Sequence, residues 1–114
     1  MPQDIQSNLP LTEVTYFILL SLSPRPKHGY AIMKDVHSLS QERINLSTGT
    51  LYGAIKRLLE QGWILRIEDP SPNGSRRKRK VYRISNLGQR VLEAEVQRLN
   101  SLVVAAEISA FGNA

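Results

Sequence analysis

Residues 63–84 read Trp63-Ile64-Leu65-Arg66-Ile67-Glu68, then Asp69-Pro70-Ser71-Pro72-Asn73-Gly74-Ser75, then Arg76-Arg77-Lys78-Arg79-Lys80-Val81-Tyr82-Arg83-Ile84. In the first part Trp63, Leu65 and Ile67 alternate with Ile64, Arg66 and Glu68, the period of two expected of a half-buried strand. The middle part is turn chemistry throughout. The last part returns as a strand over residues 79–84, with Tyr82 and Ile84 on one face. Residues 76–83 hold six Lys or Arg and no acid. The whole chain of 114 residues carries 15 basic and 10 acidic side chains, so without these six it has nine against ten. The surplus positive charge is concentrated on one hairpin. A basic hairpin beside an exposed helix is a means of gripping a polyanionic duplex.

Three helix-patterned segments come before the hairpin. Residues 1–10 are polar, flanked by prolines and without period, and are expected to form a flexible arm. Over residues 11–22, Leu11, Val14, Phe17, Ile18 and Leu22 mark one helical face, with Thr12 as the cap. Pro24-Arg25-Pro26 stops that helix, because proline lacks the amide donor and restricts the residue before it. A second helix is predicted over residues 29–39, with Ile32, Met33, Val36 and Leu39 facing inward. Residues 40–45 form a linking turn. The third helix starts near Ser47 or Thr48 and ends at Gly62, a suitable position for a left-handed terminating residue. Its buried stripe is Leu51, Ile55, Leu58 and Leu59. After the hairpin, Ser85 caps a long last helix reaching about residue 110.

Helix, helix, helix, strand, basic turn, strand, helix is the order of a winged helix-turn-helix. The expected fold is therefore mainly α with a two-stranded β-wing, followed by a C-terminal dimerisation helix. Residues 11–84 would be the winged-helix domain, 85–110 the dimerisation helix and 111–114 a tail.

The outward side of the third helix carries Gly49, Thr50, Gly53, Lys56, Arg57 and Glu60. Its leading half is small and hydroxylated, and its next turn is cationic. Such a surface can lie close to base edges, with Thr bonding to bases or phosphates. Two glycines inside a helix cost roughly 1 kcal/mol each relative to alanine, so a compensating contact is expected. Either DNA supplies it, or Gly49 and Gly53 permit tight packing against the second helix. Tyr52 lies at the edge of the buried stripe, open to both core packing and DNA contact.

On the last helix, Leu92, Val96, Leu99, Val103, Ala106 and Ala110 recur in steps of four and three, an a/d seam. A lone winged helix can bury only part of so long a stripe. Pairing with a second copy is the expectation, and folding back on its own domain the alternative.

Catalysis finds little support. There is no cysteine, hence no disulfide, thiolate metal site or cysteine nucleophile. His28 and His37 stand nine residues apart without metal-ligand spacing, and Glu93 and Glu95 do not share a helix face. No phosphate-binding glycine loop or nucleophile elbow occurs. No enzyme activity, metal or cofactor is expected. The longest aliphatic-aromatic run, residues 16–20, is far too short to span a bilayer, and nothing suggests export, so the expected location is the cytoplasm without membrane contact.

Gly49-Thr50-Leu51-Tyr52, followed by Arg57-Leu58-Leu59-Glu60-Gln61-Gly62-Trp63-Ile64, closely resembles the PadR family of transcriptional regulators. His28-Gly29-Tyr30 resembles the family's Gly-Tyr at the start of its second helix. Residues 79–88 resemble its second wing strand and the lead into its final helix. Together these motifs cover about residues 11–100, in the right order. One departure stands out: Gly53 follows the Gly-Thr-Leu-Tyr where the family commonly has proline.

The resemblance is to short members with a single C-terminal helix. It implies a homodimeric repressor on a palindromic operator in double-stranded DNA, released by a small-molecule effector held at the dimer interface. Thr48, Thr50, Lys56 and Arg57, with Tyr52 beside them, would face the major groove. Arg76, Arg77, Lys78, Arg79 and Lys80 would hold phosphates or the minor groove, and Lys27 and Tyr30 the DNA backbone. Leu92, Val96, Leu99, Val103 and Ala106 would make the dimer. A winged helix whose wing binds an acidic protein partner is the competing class, but the third helix offers no apolar anchor for a protein.

Overall fold

The computed structural model describes residues 4–68 and 80–110. Four α-helices and a small antiparallel sheet follow in the order α1 (Glu13–Leu22), β1 (Lys27–His28), α2 (Gly29–Leu39), α3 (Thr48–Glu60), β2 (Ile64–Glu68), β3 (Lys80–Ile84) and α4 (Asn86–Ser109). The sheet has three strands, ordered β1-β3-β2, where the sequence suggested two. The extra strand is two residues long, with Lys27 opposite Tyr82 and His28 opposite Val81. It carries no alternation to read and exists only because β3 offers it an edge.

Three of the four α-helices, α1, α3 and α4, begin with a hydroxyl cap. Thr12 accepts the amide of Thr15, Ser47 that of Thr50 and Ser85 that of Gly88. Each satisfies one amide that the helix start leaves without a partner, a contribution of about 1 kcal/mol per cap. At the end of α3, Gly62 takes φ +74°. The amide of Gly62 then donates to the Leu59 carbonyl and that of Trp63 to the Leu58 carbonyl, a Schellman closure.

The core draws on every helix: Ile18, Leu19 and Leu22 of α1, Ile32 and Val36 of α2, Leu51, Ile55 and Leu58 of α3, and Val91 and Leu92 of α4. Trp63, Ile64 and Tyr82 close it from the sheet. Several side chains lie elsewhere than the periodicity suggested. Leu39 is 43% exposed. It ends α2 just before Gln41 and Glu42, both left-handed at φ 55° and 66°, reverse the chain, and Leu46 takes the core position instead. Ser40 is buried in that reversal, donating to the His37 carbonyl and accepting the Ile44 amide. Ile64, not Leu65, is the buried residue of β2, because Ile64 pairs with Ile84 on the face toward the helices. Residues 4–10, read as a loose arm, contain a 3-10 turn, Gln6–Asn8, and Ile5 and Leu9 pack against the core.

Two carboxylates are set into this frame. Glu95 on α4 is 2% exposed, accepts the Leu11 amide at 2.7 Å and is held by the Arg98 guanidinium. The Arg98 hydrogen bond, joined by the Leu11 amide, outweighs burial and holds Glu95 below its ordinary 4.5. Asp35 on α2 accepts from Lys27 and from the buried Ser21 hydroxyl. Burial alone would raise Asp35, but those bonds and the charges of Lys27 and Arg25 bring it below 3.8. No helix among the described residues is long and apolar enough to cross a membrane.

Two outcomes follow. A carboxylate whose folded value is depressed stabilises the fold above its ordinary pKa and loses that contribution as pH falls through the lowered value. Thermal melts should therefore show stability dropping as pH is lowered below 4.5, with Glu95→Gln flattening the decline and costing about 2 kcal/mol at neutral pH. A Cβ on Gly88 would stand 2.0 Å from the Trp63 carbonyl oxygen, a backbone atom that cannot move aside. Gly88→Ala should destabilise by about 3 kcal/mol or more in denaturant unfolding.

Candidate nucleic-acid interface

The core stripe of α3 fixes which side of that helix faces out. With Leu51, Ala54, Ile55 and Leu58 buried, the side chains of Thr48, Thr50, Tyr52, Lys56, Arg57 and Glu60 are exposed. Thr50 is tied by its amide to Ser47, whose hydroxyl also donates to the Thr50 hydroxyl, at 2.9 Å. Lys56 and Arg57 have no carboxylate partner among the described residues, so their charge is available to an anion.

The two glycines of this face do not pack against α2. A Cβ on Gly49 would meet nothing within 4 Å, and one on Gly53 only the Arg57 guanidinium at 3.9 Å. The space above the first two turns is open. The helical cost of these glycines is therefore not offset within the chain.

Tyr52 is 44% exposed and leans across to α2, where a Cβ on Gly29 would come within 2.5 Å of its hydroxyl. It is thus part packing and part surface. Beneath it is Tyr82 of β3, 3% exposed. Burial, with the Tyr52 hydroxyl, raises Tyr82 above its ordinary 10.0, and Arg66 opposes the rise. Arg66 is exposed on β2 and pairs with Tyr82 across the strands. Sequence reasoning did not single out Arg66, because one cation within an alternating strand carries no pattern of its own.

Of the basic hairpin, Lys80 is exposed at the first residue of β3, opposite Glu68. Arg76, Arg77, Lys78 and Arg79 lie outside the described residues. Tyr30, at the start of α2, is 68% exposed, with the Lys34 ammonium 5.6 Å from its ring centre. Lys27 is different. Its side chain is 12% exposed and its ammonium is committed to Asp35, so an ion pair draws it inward.

The seam expected on α4 divides in two. Leu92 is 4% exposed and packs in the chain's own core. Val96, Leu99 and Val103 are exposed, and Ala106 is half-buried. Leu102, Val104 and Ile108 are exposed too, although the a/d spacing passed over them. Beside Leu99, a cavity of about 390 Å³ opens between α1 and α4, lined by Leu11, Tyr16, Phe17, Glu95 and Arg98 among others. No cluster of three or more potential metal ligands occurs among the described residues.

The model of the transcriptional regulator PadR-like family matches residues 18–94, from the middle of α1 into α4. The chain belongs to the PadR family. That family is one of transcriptional regulators, not enzymes. Among solved structures the chain is similar to a PadR family transcription regulator from Clostridium difficile R20291, at 24% identity and a TM-score of 0.70 over 84% of this chain and 96% of that one. It is similar to a transcriptional regulator from Clostridium thermocellum, at 22% identity and 0.69, over 96% and 98%. It also resembles Bacillus subtilis PadR, solved in complex with operator DNA, at 20% identity and 0.65, over 75% of this chain and 47% of that one. A search of curated proteins returns no match. The shared PadR fold is the winged helix, here with its three-stranded sheet.

Gly53→Ala separates folding from binding. Open space at the site predicts a gain of about 0.5–1 kcal/mol in stability, read by denaturant unfolding. Duplex affinity, read by fluorescence anisotropy, should fall in the same variant because a methyl now stands on the approaching surface.

Proposed function

We propose that this PadR-family regulator is a homodimeric repressor of a palindromic operator. The outward face of α3 carries the proposal: a leading turn of Thr48, Gly49 and Thr50 with open space above it, followed by Lys56 and Arg57 free of carboxylate partners among the described residues. Thr50 and Thr48 read base edges in the major groove, and Lys56 and Arg57 hold base edges or phosphates. Tyr52 borders that contact, and Tyr30 touches the backbone. The wing residues Arg76, Arg77, Lys78, Arg79 and Lys80 neutralise phosphates or enter the minor groove.

The exposed Val96, Leu99 and Val103, flanked by Leu102 and Ala106, form the dimer contact with a second copy. Two-fold pairing sets two α3 helices about one DNA turn apart, roughly 34–36 Å. The cavity between α1 and α4 borders that contact and is where an effector would act on the dimer. The site of action is the cytoplasm.

Binding of the organism's own genomic fragments across a salt series is the test, with light scattering of the free protein alongside. A dimer at micromolar concentration and a steep loss of affinity with salt are expected, through counterion release. Replacing Arg76, Arg77 and Lys78 by Ala should flatten the slope of log affinity against log salt by about 5 for the dimer, roughly 0.9 for each of three contacts per subunit, and weaken all sequences alike. Thr50→Ala should instead change which fragments are selected. A monomer, or a protein that ignores duplex fragments in dilute buffer, overturns the reading. Salt-steep binding to an acidic protein in place of DNA would point to the interaction module instead.

A further inference from the structure

Three successive residues at the start of α1 tie it to two other parts of the chain. The Leu11 amide donates to Glu95 of α4 at 2.7 Å. Thr12 caps α1 itself through the Thr15 amide. The Glu13 carboxylate accepts from the Arg43 guanidinium, also at 2.7 Å. Arg43 belongs to the reversal between α2 and α3, shortly before the Ser47 cap. One short lead therefore joins the helix that carries Leu99 to the turn that starts α3.

These groups share a wall. Leu11, Glu13, Glu95, Arg98 and Leu99 all line the cavity of about 390 Å³ between α1 and α4. Whatever fills or reshapes that cavity meets both attachments of the lead. The two differ in firmness. Glu95 is 2% exposed and takes two hydrogen bonds from Arg98 besides the Leu11 amide. The Glu13 and Arg43 side chains are 63% and 57% exposed, so their bond can open without unfolding the domain. Just before Arg43, Gln41 and Glu42 are left-handed, at φ 55° and 66°. Such residues keep that conformation only where their surroundings hold it.

We propose that residues 11–13 relay the state of the α1–α4 cavity to α3, with Glu13 and Arg43 as positioning residues. When the cavity wall shifts, Arg43 is released and the start of α3 loses its set position. The inference rests on the duplex-binding reading above and gives the route by which the cavity acts on it. Neither residue needs to touch DNA. Regulation of this kind is a coupling free energy between two sites, and perturbations at its two ends then fail to act independently.

The test measures affinity of the full chain for one selected genomic fragment at fixed salt, by fluorescence anisotropy. Glu13→Gln removes a negative charge, which by charge alone would tighten binding to a polyanion. The relay predicts the opposite, a loss of roughly two- to fivefold per subunit, the range set by an exposed ion pair. Arg43→Lys, which keeps a cation for Glu13, should bind like the parent chain, and Arg43→Gln should lose at least as much as Glu13→Gln. Glu93→Gln, which removes an equal charge from the exposed side of α4, should not weaken binding. Combining Glu13→Gln with Glu95→Gln should cost no more than the weaker of the two single variants. Thermal melts confirm folding, and Arg98→Lys replaces Glu95→Gln if that variant is unfolded at the assay temperature. Unchanged or tighter binding by Glu13→Gln overturns the proposal while leaving duplex binding intact. Losses that multiply in the double variant, or an equal loss from Glu93→Gln, also overturn it. A parent chain that binds no duplex defeats the broader reading instead.

Discussion

The end of α3, the base of the wing and the start of α4 meet at two carbonyl oxygens. The Gly62 carbonyl accepts the Ser85 hydroxyl at 2.6 Å, and the Trp63 carbonyl accepts the Ser85 amide at 3.0 Å. Ser85 in turn caps α4 through the Gly88 amide, and Gly88 lies so close under Trp63 that no side chain fits there. One serine thus joins three elements. The direction in which α3 leaves the core, the strand that follows it and the line of α4 are fixed relative to one another at this point. Displacing any one of them displaces the surface that α3 presents.

Charge follows the same economy. Carboxylates fasten elements together, the buried Glu95 joining α4 to the lead of α1 and the half-buried Asp35 joining α2 to β1 through Lys27. Where cations have no carboxylate partner among the described residues, they lie outward: Lys56 and Arg57 on α3, Lys34 on α2. A buried group is satisfied because desolvation demands it. An exposed cation without a partner is inexpensive in water and ready for an anion. The same residue type therefore performs opposite tasks, and burial decides which.

Helix periodicity, the caps Thr12 and Ser85, a third-helix start near Ser47 and the glycine closure at Gly62 were all legible in the sequence. Each is a local rule, satisfied within four residues of chain. The features that sequence hid are long-range. β1 exists only by pairing with a strand more than fifty residues later, and Lys27 is removed from the surface by an acid eight residues on. Leu39 and Leu92 obey the right period, but the chain reversal exposes the first and the core claims the second. On the candidate site, the outward face of α3 was readable because its inward stripe was. Arg66 and Lys34 were not, because an isolated cation on a strand or helix carries no pattern of its own.

Beyond Leu99, α4 runs on with Leu102, Val103, Val104 and Ile108 in water, and its own domain does not cover them. Pairing of such half-helices would make operator occupancy depend on the square of subunit concentration when subunits are scarce. A modest change in synthesis or degradation would then throw the genetic switch more sharply than any single binding event could. On that reading the bare end of the helix would act as a gauge of cellular abundance.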